Sequence, residues 1–248
     1  SAQPDVVTAD LLADGTIVTS LTKTIKDNAG FAWKHLMVGS EGTLGVITRA
    51  VLRLRPAPVS EQTALVALPS FEAVTSLVRN LEVGLGGQLS SFELMWSEFY
   101  EAMTEAQLPV RARPMELGHP FYVLVEMLGG DPQDDAARFE RALVAQLGEG
   151  VIADAVIAKS GREREALWAV REDMQPGLAL LRPFTVYDVS MALQHMPEFA
   201  AKVRERVSAA WPSARIVFYG HAGDGNLHLI VHTGTDGEAH ADAVESLV

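Results

Sequence analysis

From residue 59 onward, short apolar runs at strand spacing alternate with amphipathic runs at helical spacing, and this alternation restricts the chain to layered mixed folds. Thr63 to Leu68, Gln88 to Met95, Phe121 to Leu128, Val151 to Ile157, Phe184 to Leu193, Ile216 to Tyr219 and Leu227 to His232 read as strands. Between them, Ser70 caps a helix whose apolar stripe is Phe71, Val74, Leu77, Val78 and Leu81. Asp131-Pro132 opens a second helix, with Phe139, Leu143, Val144 and Leu147 on one face and Gly148 at its end. A third runs from Arg162 to about Gln175, and a fourth starts at Pro197 with Phe199, Val203 and Val207 turned inward. The strand-helix-strand order predicts an α+β domain with helices on a mostly antiparallel sheet, arranged as two split βαβ halves. No sequence repeat accompanies that arrangement.

Residues 1 to 58 have a different grammar, rich in Thr, Val and Gly, with Asp14-Gly15 as a hairpin turn between Val6-Val7 and Ile17-Val18. Arg55-Pro56-Ala57-Pro58 forms a stiff boundary, since each proline fixes its own φ and holds the preceding residue extended. Two domains are therefore expected, 1–58 and 59–248. A net charge of −12 disfavours nucleic acid and anionic lipid as partners, and it requires any site for a small anion to supply local positive charge. The chain has no cysteine, which removes disulfides, thiolate metal sites and cysteine nucleophiles. A cytoplasmic setting is the default expectation, and no apolar run has the length of a membrane span. The first residue is Ser and the run from Ala243 reads as a helix without a stop signal, so the chain reads as a truncated piece.

Val38-Gly-Ser-Glu-Gly-Thr-Leu-Gly-Val-Ile-Thr48 places three glycines ahead of a β-branched strand. By local pattern this is a tight turn into a strand; such a turn also offers successive N–H groups to an anion. Upstream lies Lys26-Asp-Asn-Ala-Gly-Phe, then His35-Leu36, and downstream Leu52-Arg-Leu-Arg-Pro56. Together these segments resemble the second half of the FAD domain of the vanillyl-alcohol-oxidase type, in the group of glycolate oxidase subunits, D-lactate dehydrogenases and D-2-hydroxyglutarate dehydrogenases. The resemblance implies a ferredoxin-like substrate domain after the FAD domain. It also implies FAD contacts for Gly39, Ser40, Glu41, Gly42, Gly45, Val46 and Ile47. The family's first Gly-rich pyrophosphate loop is not in the sequence, so this piece alone is expected to hold FAD weakly or not at all, and to be inactive by itself.

Gly220-His-Ala-Gly-Asp-Gly-Asn-Leu-His-Leu229 joins two strands through a turn-forming run. Such a hairpin brings His221 and His228 together, either as two half-buried histidines or as ligands of one ion, at about 2.0–2.1 Å each for zinc. Asp224 is placed to brace the turn or to accept an imidazole N–H. His232 shares the face of His228, and no third ligand is evident from the spacing. In the resembling family this run binds a divalent metal, here zinc by expectation, through both histidines. That family's third ligand, a Glu in a Ser-Ala-Glu-His-Gly motif, is missing, and with it the histidine expected to act as base.

Arg171, in Leu167-Trp-Ala-Val-Arg-Glu172, sits on the third helix, where spacing alone suggests a solvated face. A guanidinium also suits two-pronged capture of a carboxylate, the role the resemblance implies for it. Tyr187-Asp-Val-Ser190 and the following Met196-Pro-Glu-Phe resemble the family too, with Val189 and Met191 as core residues. Relatives that prefer hydroxyglutarate often carry Lys at the position of Val186 and Asn at that of Ile230, so a smaller, lactate- or glycolate-like acid is expected. The implied reaction is oxidation of a D-2-hydroxy acid, with hydride to FAD and electrons onward to an unidentified acceptor; a homodimer is compatible with it. Arg171, His221 and His228 are the candidate catalytic residues. Two other readings of the His-Asp-His run are a non-enzymatic metal-binding domain and a metal-dependent hydrolase using His221, Asp224 and His228.

Overall fold

A computed structural model of the chain describes residues 6–21, 30–54, 56–108, 110–234 and 237–248. The chain divides into two compact units, Ser1–Ala57 and Pro58–Val248. The first holds strands β1 (Val6–Leu11) and β2 (Ile17–Thr19), a short helix α1 (Lys34–Met37) and strand β3 (Val46–Leu52), in an antiparallel sheet of order β2-β1-β3. Asp14 closes the β1–β2 turn by accepting the Thr16 N–H at 2.9 Å, as its Asp-Gly sequence predicts. Residues 26–29 and 55, which carry part of the family resemblance and of the proline boundary, lie outside the described residues.

The second unit is built from β4 (Ser60–Leu68), α2 (Phe71–Gly84), β5 (Leu89–Trp96), α3 (Ser97–Gln107), β6 (Phe121–Gly129), α4 (Pro132–Gly148) and β7 (Asp154–Ile157), followed by α5 (Gly161–Glu172), α6 (Gln175–Ala179), β8 (Thr185–Ser190), α7 (Met196–Ala210), β9 (Arg215–His221), β10 (Asn226–His232) and α8 (Ala241–Glu245). Its strands form one antiparallel sheet of order β7-β4-β6-β5-β9-β10-β8. The first four run fourth-first-third-second, with α2 and α4 as crossovers, which is the ferredoxin-like pattern. The last three repeat its first three positions: β8, helix α7, then β9 and β10, with β10 between them. The two halves meet through their second strands, β5 and β9, and this seam carries Glu93 and His221 as register partners. Among the described residues, no helix is long and apolar enough to cross a membrane.

Both faces of the sheet are covered, so its central strands are continuous apolar runs rather than alternating ones. Ala64, Leu65, Val66, Ala67 and Leu68 are all fully buried on β4. One face packs against α2, α4 and α7 through Phe71, Leu77, Phe139, Leu143, Val203 and Val207. The other packs against α3, α5 and α6 through Phe99, Tyr100, Met103, Leu167, Val170 and Leu178. Each such side chain contributes about 1.5–3 kcal/mol on full burial.

Helix starts follow their caps. The Ser70 hydroxyl accepts from the Ala73 N–H, the Asp131 carboxylate accepts from those of Gln133 and Asp134, and Ser160 accepts from Glu163. The Ser160 cap sets the phase of α5 and therefore which of its residues face the sheet. That helix stops at Glu172 rather than reaching Gln175, because Pro176 starts the separate helix α6. Helix α3 has no sequence signal comparable to these: no side chain caps it, and its start directly abuts β5.

Candidate active site

Strand β9 ends at His221 and strand β10 starts at Asn226; a 3₁₀ turn, Ala222–Asp224, and Gly225 at a φ of 73° connect them. The turn brings the two histidine rings to 5.4 Å between centroids, edge to face. In register, His228 pairs with Tyr219 on one side and with Asp188 of β8 on the other, while His221 pairs with Glu93 of β5. All five side chains belong to the sheet face covered by α5. A strand's side-chain period of two puts them there together, one band across four adjacent strands.

Each imidazole has a carboxylate at its Nδ1. His221 Nδ1 lies 2.8 Å from Glu93 Oε1, and His228 Nδ1 lies 3.4 Å from Asp188 Oδ2. Asn226 donates to the other Asp188 oxygen at 2.6 Å and steadies it. Asp224 is exposed on the turn, and the carboxylates at the two imidazole Nδ1 atoms are those of Glu93 and Asp188. Burial pushes the His228 imidazole below the usual histidine range, aided by Arg171 and His221 and opposed by Asp188 and Glu93. A neutral imidazole keeps a lone pair for a cation.

Arg171 is not on a solvated helix face. Its guanidinium lies 4.7 Å from the centroid of the Tyr219 ring, and its Nε donates to Glu93 Oε2 at 3.0 Å. Tyr219 is wedged between Phe99, stacked at 4.4 Å, and His228, at 5.0 Å between ring centroids. Arg164, Trp168 and Arg171 lie at helical spacing along α5 and reach two buried carboxylates. Glu126 Oε2 accepts from Thr63 at 2.9 Å, from Arg164 Nε at 2.9 Å and from Trp168 at 2.8 Å, while Glu93 takes Arg171. Two charges on the sheet thus fix the height and rotation of the helix that carries Arg171.

His232 points elsewhere. Its Nδ1 lies 2.8 Å from the Pro183 carbonyl oxygen, and four strand residues separate it from His228, about 13 Å at 3.3 Å per residue. Among the described residues, no group of three or more ligand-type side chains assembles around a common point. The residues missed by sequence reasoning are Glu93 and Tyr219. Glu93 did leave a signal: an acid between Phe92 and Leu94, in a run too apolar to be solvated, requires a partner.

The motif's glycine at position 220 has a packing cause. A Cβ there would lie 2.4 Å from the Asn226 carbonyl oxygen and 2.9 Å from the Leu227 Cα, both backbone atoms. Only glycine lets β9 approach β10 this closely. Gly220→Ala is expected to destabilise the protein by about 1–3 kcal/mol, the usual range for forced overpacking, read as a lowered denaturation midpoint with the m-value unchanged.

In the first unit, the glycine-rich run forms a turn with positive φ at Gly39 (88°), Glu41 (50°) and Gly42 (81°), tied by Thr43 N–H and Oγ1 bonds to the Ser40 carbonyl. Nothing lies within 4 Å of a Cβ built on Gly39 or Gly42, so the space beside this backbone is open. Gly45 differs: its Cβ would stand 2.8 Å from the Leu11 carbonyl oxygen, so the sheet itself demands glycine there. Val46 and Ile47, which follow on β3, are exposed.

Comparison with known proteins bears on this arrangement. The family described as "FAD linked oxidases, C-terminal domain" matches residues 57–248. The mitochondrial D-2-hydroxyglutarate dehydrogenase of Bos taurus is 37% identical over 222 residues, 89% of this chain and 40% of that protein. A putative mitochondrial D-lactate dehydrogenase of Schizosaccharomyces pombe is 33% identical over 228 residues, 88% of this chain and 43% of that protein. The chain thus spans about two-fifths of the length of these relatives. Among solved structures, p-cresol methylhydroxylase superposes with a TM-score of 0.65 at 12% identity, covering 98% of this chain and 54% of that one, a likeness of fold. The chain belongs to the FAD-linked oxidase family, whose C-terminal domain matches residues 57–248.

Proposed function

We propose that a protein containing this chain oxidises a D-2-hydroxy acid to the 2-oxo acid, using FAD and a divalent ion, and passes the electrons to a separate acceptor. The observation that carries this reading is the convergence of an anion grip and an imidazole pair: Arg171 on Tyr219, Tyr219 on His228, and His228 on His221, on one sheet face. The guanidinium, offset by Glu93, meets the requirement set by the net charge of −12 together with the divalent ion proposed for the imidazoles.

Arg171 holds the substrate carboxylate: its Nε is committed to Glu93, Nη1 makes only a long 3.7 Å contact with the Met174 sulfur, and a carboxylate is the stronger acceptor for the terminal nitrogens. His221 and His228 fit a divalent ion: each has a carboxylate at Nδ1, and His228 is held neutral by burial. They supply two ligands of a set that the described residues do not complete. Zinc, once bound, supplies Lewis-acid polarisation of the substrate hydroxyl. The open glycine turn at Gly39, Ser40, Glu41 and Gly42, with Gly45 and the exposed apolar pair Val46 and Ile47, fits one flank of a flavin nucleotide. FAD, once bound, supplies the two-electron acceptor.

Substrate size is set by Val186 and Ile230. They are direct cross-strand partners, two residues along from the Asp188–His228 pair and on its face. An apolar wall there offers nothing to a second carboxylate, whose desolvation without a partner costs several kcal/mol. We therefore infer a short, lactate- or glycolate-like acid. In steady-state assays of the flavin-loaded protein, kcat/KM for D-lactate is expected to exceed that for D-2-hydroxyglutarate at least tenfold, and Val186→Lys to narrow the gap. A preference for D-2-hydroxyglutarate would refute the substrate assignment. Flavin that no D-2-hydroxy acid reduces would refute the reaction.

A further inference from the structure

Glu93 hydrogen-bonds to both halves of the site. Its Oε1 faces His221 Nδ1 at 2.8 Å and its Oε2 accepts the Arg171 Nε–H at 3.0 Å. It is buried, on the strand where the two ferredoxin-like halves join, and its register partner is His221 itself. We propose that Glu93 is a positioning residue that sets the imidazole of His221 and the guanidinium of Arg171 together. This rests on the function proposed above.

An ionised carboxylate only accepts hydrogen bonds. The 2.8 Å contact therefore assigns the His221 proton to Nδ1 and leaves the Nε2 lone pair facing away from Glu93. The Nε–H bond to the other oxygen fixes the plane of the guanidinium, and the Tyr219 ring supports that plane from one side at 4.7 Å. The remaining guanidinium nitrogens then have a defined direction. A carboxamide cannot replace this carboxylate, since its oxygen serves one donor and its NH₂ confronts the other. Aspartate is one methylene too short to reach both groups from the same strand position.

The test uses Glu93→Gln in the flavin-loaded protein that contains this chain, with KM for D-lactate and zinc(II) affinity measured separately. Both are expected to worsen by about tenfold or more, the usual effect of removing a partner behind a metal ligand. Arg171→Lys should move KM and leave zinc affinity within twofold. A merely structural role would lower the melting temperature of Glu93→Gln and leave both constants within twofold, and that result overturns the proposal, as does a change in only one of them. If the variant does not fold, the unsubstituted protein decides. Histidine-selective ¹⁵N spectra should show His221 as the Nδ1–H tautomer, and an Nε2–H tautomer overturns the assignment. Should Arg171→Ala leave kcat/KM unchanged and His228→Ala leave zinc affinity unchanged, the proposed function fails. Should those respond while Glu93→Gln does not, only the role of Glu93 fails.

Discussion

Arg171→Ala is expected to lower kcat/KM for a D-2-hydroxy acid by about a thousandfold in a flavin-loaded protein that contains this chain. The magnitude follows from the environment. Arg171 is largely buried, it is paired with Glu93, and it lies on an aromatic ring. Removing one partner of a buried, hydrogen-bonded charge pair across a binding interface, here the guanidinium that faces the substrate carboxylate, costs about 2–5 kcal/mol of binding, and every 1.36 kcal/mol is a factor of ten in rate. The loss should fall mainly on KM if the grip on the carboxylate is equal in ground and transition states, and on kcat if it tightens during the reaction. Arg171→Lys keeps the charge and loses the fork, so it should recover only part of the activity. A neutral substrate analogue isolates the interaction: with methyl D-lactate, wild type and Arg171→Ala should differ far less than with D-lactate. Equal sensitivity to both compounds would show that the arginine acts on the fold rather than on the carboxylate.

The layered α+β architecture was legible because strands buried on both faces leave unbroken apolar runs, as in Ala64 to Leu68, and because Ser70, Asp131 and Pro197 mark helix starts. Helix α3 was not legible, since it follows β5 without a cap and its apolar face includes Tyr100 and Thr104, whose hydroxyls bond to backbone carbonyls. The repeat of ferredoxin-like strand order was legible only as a topology. Packing onto a common sheet constrains hydrophobicity at alternate positions and leaves residue identity free, so no sequence repeat accompanies it. At the site, the histidines could be paired from the turn chemistry between them. Their carboxylate partners could not, because Glu93 and Asp188 come from strands 128 and 40 residues away from His221 and His228 respectively, and only sheet order makes them neighbours. Arg171 shows the opposite limit. Helical spacing offered it a solvated face, whereas the Ser160 cap and the buried Glu126 and Glu93 turn that face toward the sheet.

The metal reading yields the second large effect. His221→Ala and His228→Ala are each expected to weaken zinc(II) binding by about a hundredfold or more. Sites with four protein ligands bind zinc with about 10–16 kcal/mol, so one imidazole accounts for roughly 3 kcal/mol, and a site with fewer protein ligands depends more on each. The matched control is His232→Ala. His232 is the same residue type on the same strand and face as His228, yet its Nδ1 lies against the Pro183 carbonyl oxygen, and strand geometry places it about 13 Å away. Its replacement should leave zinc affinity within twofold, as measured by competition with a chromophoric chelator. The double variant His221→Ala/His228→Ala should lose the site altogether, because the carboxylates of Glu93 and Asp188 face the imidazoles rather than a common centre. If all three single variants weakened zinc equally, the ion would be binding surface histidines at large. If His221→Ala and His228→Ala left it untouched, the imidazole pair would be a hydrogen-bonded element of the sheet, and polarisation of the substrate hydroxyl would have to come from protein donors alone.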